Sequence, residues 1–225
     1  MKRFVIGDIH GAHKALKQCL ERSCFDYSND LLICLGDVSD GFPEVPQCMD
    51  ELLKIKNLVF LLGNHDLWFR QWVESGARPE TWVHQGGSRT IKSYRGKPDP
   101  AHAALLRRAK QYHLEGQMLF VHGGIEPGLP LEDQDEHTLL WDRKLVMEAC
   151  AKKDQSISIT GYQKVFVGHT PTVRFKSMVP VSFCEVVLMD TGAGWGQKLS
   201  IMNIDSGELF QSDPTLSLYG ISYMR

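Results

Sequence analysis

The chain has 225 residues, 43% of them hydrophobic and 23% charged, and a formal net charge of -2. That is an ordinary globular make-up, long enough for one sizeable core. Its lysines and arginines are scattered, which argues against bulk-charge binding to nucleic acid or to an anionic membrane. No stretch approaches the roughly 18 apolar residues of a membrane span, and the N-terminal apolar run is too short for a signal peptide. The six cysteines (Cys19, Cys24, Cys34, Cys48, Cys150 and Cys184) form no CxxC pair, so reduced thiols and a cytoplasmic setting are expected.

In chain order, one pattern recurs. A short apolar run ends in a cluster of Gly, Asp, Asn and His. Phe4 to Ile6 leads into Gly7-Asp8-Ile9-His10-Gly11, Leu31 to Leu35 into Gly36-Asp37, and Leu58 to Leu62 into Gly63-Asn64-His65-Asp66. Near-continuous apolar runs of this length read as strands buried on both faces. Helix-length stretches at 12–22 and 44–56 separate the first three, which predicts βαβ units. Residues 66–115 differ. Leu67 to Glu74 and Pro100 to Tyr112 read as helices around Trp82 and a Gly86-Gly87 turn, a mostly helical insertion beside the strand ends. The pattern then resumes: Met118 to Val121 precedes His122-Gly123-Gly124, and Lys164 to Val167 precedes Gly168-His169-Thr170. Cys184 to Met189 and Leu199 to Ile204 read as antiparallel strands joined across Gly192–Gly196, with a hairpin turn at Asp205-Ser206-Gly207. The alternation of strands and helices gives an α/β class, and the C-terminal strands suggest a second sheet.

In such sheets the loops at the carboxyl ends of the strands share one edge, where ligands bind. Two carboxylates, an amide and several imidazoles would meet there. Carboxylates so gathered need positive compensation, which bound metal ions supply. The donors are all oxygen and imidazole nitrogen, a set suited to manganese, iron, zinc or similar divalent ions. Any one of these clusters alone is only a turn, and co-occurrence in fixed order is what points to a site. His13, His84, His102, His113 and His137 lack that context and read as surface or packing residues. Asp30, Asp50, Asp66 and Asp142 read as helix caps or solvated charges.

These motifs, together with Gly36-Asp37-Val38-Ser39-Asp40-Gly41, Trp82 through Tyr94, Leu140-Trp141-Asp142-Arg143 and Asp190-Thr191-Gly192-Ala193, resemble the calcineurin-like metallophosphoesterases. The likeness lies within the phosphoprotein phosphatase branch, near the bacterial and phage Ser/Thr phosphatases and the symmetrical diadenosine tetraphosphate hydrolases. The resemblance implies a single domain over 1–225 with two mixed β-sheets packed as a central sandwich flanked by helices. It implies two divalent metal ions, with manganese expected and iron, zinc, nickel or cobalt compatible. Asp8, His10 and Asp37 would hold one, and Asp37, Asn64, His122 and His169 the other. It further implies hydrolysis by a metal-activated hydroxide, with His65 as general acid and Asp40 as its partner.

Two arginines usual in that branch are missing: Gly41 and Leu62 stand in their places. Arg143 is the best remaining phosphate clamp, with Arg89 and Arg70 as weaker candidates. The expected substrate is a phosphorylated protein or a small phosphate ester, with a dinucleoside polyphosphate as the alternative and a non-catalytic metal-binding module as a third reading. Oligomeric state is not readable from the residues.

Overall fold

The computed structural model describes residues 1–152 and 158–220. The first half of the chain alternates strand and helix: β1 (Arg3–Ile6), α1 (His13–Arg22), β2 (Leu31–Cys34), α2 (Val45–Leu53), β3 (Asn57–Phe60) and α3 (Asn64–Ser75). Proline at the start of α2 fits the first helical turn, where its missing N–H costs nothing. α3 opens at Gly63, whose N–H donates to the Asp66 carboxylate three residues on, which is one half of a capping box.

A helical stretch follows: α4 (Glu80–Trp82), a π turn over Val83–Gly87, α5 (Ser88–Ser93) and α6 (Pro100–Arg108). The expected Gly-Gly turn is there, with Gly86 at φ 112°. The helix expected over Pro100 to Tyr112 stops early. Tyr112–Glu115 is a strand, β4, turning at Gly116 (φ 62°) to pair antiparallel with β5 (Met118–Val121). Its tyrosine, histidine and leucine fit a half-buried edge strand as well as a helix end. The chain continues through α7 (Glu136–Trp141), α8 (Lys144–Lys152), β6 (Lys164–Val167), β7 (Val181–Phe183), β8 (Val186–Leu188), β9 (Ser200–Asn203), β10 (Leu209–Gln211) and α9 (Thr215–Tyr219).

The described residues form two mixed five-stranded sheets, ordered β10-β9-β1-β2-β3 and β4-β5-β6-β8-β7. β1, β2 and β3 run parallel in the first, and β5, β6 and β8 in the second. β9 and β10 pair antiparallel across the expected turn at 205–207. The expected hairpin between Cys184–Met189 and Leu199–Ile204 does not form. β8 joins the second sheet beside β6, whereas β9 crosses to the first and pairs with β1. Both stretches are apolar and buried, and local pattern does not say which sheet an apolar strand joins.

Alternation along the strands explains the layers. Val5, Ile33, Phe120, Phe166 and Val187 fill the seam between the sheets, with Phe120 and Phe166 stacked 4.8 Å apart. Phe4, Ile6, Leu32 and Cys34 face outward beneath α1 and α2. Leu119, Val121, Val165 and Val167 face outward beneath α7 and α8. Both faces are covered, so the strands read as unbroken apolar runs. The carboxyl ends of all six parallel strands converge at one edge of the seam.

Candidate metal centre

Each of those strand ends delivers chemistry. After β1 come Asp8 and His10; after β2, Asp37 and Asp40; after β3, Asn64 and His65. The second sheet adds His122 after β5, His169 after β6 and Asp190 after β8. All of these are buried. Two triads of possible ligand atoms lie within 4.8 Å of one another: Asp8, His10 and Asp37, and Asp37, His122 and His169. Asp37 belongs to both, and Asn64 Oδ1 stands 3.1 Å from His122 Nε2. The six residues expected from the sequence therefore meet around one shared carboxylate.

The imidazoles are oriented through their other nitrogens. His10 Nδ1 lies 3.1 Å from the Ser39 carbonyl, and His122 Nδ1 lies 2.8 Å from that of Leu35. Each donates to its carbonyl, which turns Nε2 toward Asp37, where it would be the atom that ligates an ion. His169 is the reverse: its Nε2 meets the Trp141 carbonyl at 3.0 Å, which leaves Nδ1 for the site. The Asp37 carboxylate accepts the His65 backbone N–H at 2.9 Å, and that of Asp8 accepts the His169 N–H at 3.1 Å.

His10, Asp37, Asp40 and His169 all have left-handed backbone, with φ from 49° to 68°. Non-glycine residues are uncommon there, and such strain gathers at functional sites. Close approach is enforced at Gly63, where a Cβ would stand 2.1 Å from Asp37 Oδ1.

The electrostatics are those of charges crowded out of water. Burial pushes the Asp8 carboxyl well above its usual range, reinforced by the neighbouring Asp190. Burial also works against Asp37, but the imidazoles of His122, His65 and His10 overcome it and hold that carboxyl well below its usual range. Burial opposes charge on His122 too, yet Asp37 and Asp8 raise it to about 9. His169 is driven down to about 3 by burial and by His122 and Arg143. A carboxylate–imidazole cluster so strongly perturbed is a functional-site signature, and divalent cations suit it.

Beside this nest His65 Nδ1 lies 2.6 Å from Asp40 Oδ2. Trp82 Nε1 donates to the same carboxylate at 2.9 Å, and Thr90 Oγ1 at 2.6 Å. The His65 ring sits edge-on to His10 and Trp68, at 5.2 and 5.3 Å. Asp66 is fully buried and accepts from the backbone N–H groups of Val38 and Ser39. It therefore braces the loop that carries Asp37, more than the plain cap its position suggested. Burial and nearby Asp37 raise its carboxyl to about 6.

A cavity of about 820 Å³ opens over Asp8, His10, Asp37, Asn64, His65 and His169. Its rim carries Arg89, Arg143 and Arg174 and the indoles of Trp68, Trp141 and Trp195. Arg143 Nη2 donates to the His169 carbonyl at 3.3 Å, and its buried Nε has no hydrogen-bond partner among the described residues. Burial and the nearby Arg174 lower its pKa. Arg70 does not line the cavity and pairs with Glu136 at 3.9 Å. Of the histidines set aside, His102 is buried between Tyr94 and Asp50, and His84 is an exposed rim residue near Glu80.

In the sequence Asp190 falls within a quoted motif without an assigned role, and neither Arg174 nor Trp195 is singled out. Asp190 follows a buried apolar run, so the strand-end rule applied elsewhere would have found it. Arg174 lies in a short 3₁₀ turn at Thr172–Phe175, and Trp195 in another at Ala193–Trp195. Neither turn has a periodic signal.

The family model of the calcineurin-like phosphoesterases matches residues 1–186. The chain belongs to that family, and with it to the phosphoester hydrolases. The family typically binds two divalent metals, in keeping with the two Asp/His triads. A symmetrical bis(5'-nucleosyl)-tetraphosphatase of Dechloromonas aromatica is 35% identical over 133 residues, covering 56% of this chain and 45% of that protein. This chain thus aligns with less than half the length of that relative. Serine/threonine-protein phosphatase 1 of Salmonella typhimurium is 26% identical over 89% of this chain and 91% of its own length. A crystal structure provisionally assigned as a diadenosine tetraphosphatase superposes with a TM-score of 0.70 at 17% identity, covering 93% of this chain and 92% of the other. That likeness shows the fold.

Proposed function

We propose that the chain hydrolyses phosphomonoesters, including phosphoserine and phosphothreonine in proteins, at a pair of divalent ions. The observation that carries this is the sharing of Asp37 by two ligand triads. Asp8, His10 and Asp37 would hold one ion, and Asp37, Asn64, His122 and His169 the other. Two such ions supply Lewis acidity toward phosphoryl oxygens and a nucleophile at neutral pH. His65 donates the proton that the leaving oxygen needs, from the nitrogen opposite its bond to Asp40. Asp40, gripped by Trp82 and Thr90, fixes the tautomer and plane of that ring. Arg143 and Arg174 bind phosphate oxygens from the His169 side. Manganese is the first choice for reconstitution. Residues 1–225 are read as one domain, acting in the cytoplasm, although 153–157 and 221–225 lie outside the described residues. Among those described, no helix is long and apolar enough to cross a membrane.

A second reading, hydrolysis of dinucleoside polyphosphates, is favoured by the three indoles around the cavity, since indole faces stack on bases. The test is one substrate panel on manganese-loaded protein: p-nitrophenyl phosphate, a phosphoserine peptide and diadenosine tetraphosphate. Turnover of the first two supports the first reading. Cleavage of the dinucleotide alone replaces it with the second. Two bound metals with no turnover of any would leave a binding module.

A further inference from the structure

We infer that Arg89 is a substrate-binding residue that holds the phosphate group from the Asp40–His65 side of the cavity, opposite Arg143 and Arg174. This rests on the phosphoester reading above. Arg89 lines the same cavity as Asp8, His10, Asp37, Asn64 and His65, and its Nη1 donates to the Gly41 carbonyl at 2.8 Å. Gly41 directly follows Asp40 and has φ 84°; a Cβ there would stand 3.0 Å from the His10 carbonyl oxygen. A side chain at position 41 would be strained and crowded, so a cation that serves this wall would come from another element. Helix α5 provides it.

The next residue, Thr90, anchors that helix. Its hydroxyl donates to Asp40 Oδ1 at 2.6 Å and accepts the Asp40 N–H at 2.9 Å. The tie that fixes the partner of His65 thereby also fixes the Cα of Arg89 against the cavity. A guanidinium presents five N–H donors in one plane. The bond to Gly41 sets the orientation of that plane beside the proton donor. The ligand that suits a planar cation here is a tetrahedral phosphate dianion, gripped through charge-assisted hydrogen bonds. Lysine would keep the charge and lose the fork.

The test compares Arg89→Ala, Arg89→Lys and Lys92→Ala, the last being an exposed cation on the same helix that does not line the cavity. Two readouts are taken on manganese-loaded protein: KM and kcat for p-nitrophenyl phosphate, and the Kd of inorganic phosphate by calorimetry. The expected result for Arg89→Ala is a rise of about 10- to 100-fold in KM and in phosphate Kd, with kcat much less affected. Arg89→Lys should fall between, and Lys92→Ala should match wild type. Wild-type KM and phosphate affinity in Arg89→Ala overturn the inference and leave the hydrolase reading standing. An equal loss in Lys92→Ala, or a loss of kcat and melting temperature with phosphate affinity unchanged, also overturns it, by making the residue structural. Protein that binds phosphate through Arg89 yet hydrolyses no ester would sustain this inference and sink the hydrolase reading.

Discussion

The floor of the cavity and its rim are built in different ways. The floor consists of buried side chains at the ends of parallel strands, with the His10, His122 and His169 rings each aimed by a carbonyl and several residues held in left-handed backbone. The rim consists of partly exposed arginines and indoles on helices and turns. Rigid strand ends suit a task that needs a fixed array of donors, whereas loops and short helices can change without unmaking the core. On the proposed reading the floor would define the reaction class, and the rim would select among phosphate esters.

Substitutions should divide along the same line. The largest effect is expected for Asp37→Asn. It removes the shared carboxylate and should lower turnover by a factor on the order of 10³ or more, with at least one metal lost. Metal analysis of the purified variant checks this, and two retained ions would break the assignment of Asp37 as a bridge. Next comes His65→Asn, expected to cost about 10²- to 10⁴-fold in kcat with metal content near wild type. Loss of both ions there would place His65 in the floor's ligand set instead. The smallest effect is expected for Arg174→Ala, a rise in KM of about 3- to 10-fold with kcat and metal content kept, as for one exposed charged contact. A collapse of kcat in that variant would erase the distinction between floor and rim.

Legibility follows the same division. Asp8, His10, Asp37, Asn64, His122 and His169 could be read because each follows a short apolar run and the clusters recur in order. A buried strand and a ligand-bearing turn leave a local signature, and repetition multiplies its weight. The packing of two sheets was not in the periodicity; it came from resemblance. The crossing between β8 and β9 was hidden because alternation says that a strand is buried and not which sheet buries it. β4 was hidden because Tyr112–Glu115 suits a helix end or an edge strand about equally. Arg174 and Trp195 left no trace because their role depends on where a short turn points. Asp66 was visible as a cap, but its hold on the Asp37 loop depends on contacts 27 and 28 residues back along the chain.

One consequence reaches beyond turnover. Asp8, His10, Asp37 and Asn64 come from one sheet, and His122 and His169 from the other. An ion held by Asp37 and Asn64 from the first and His122 and His169 from the second would act as a rivet through the open end of the sandwich, whereas the Asp8, His10 and Asp37 site lies within the first sheet alone. Thermal resistance should then track free metal concentration, as linkage requires of any ligand that prefers the native state. Scarcity of the ion would loosen the scaffold as well as silence it.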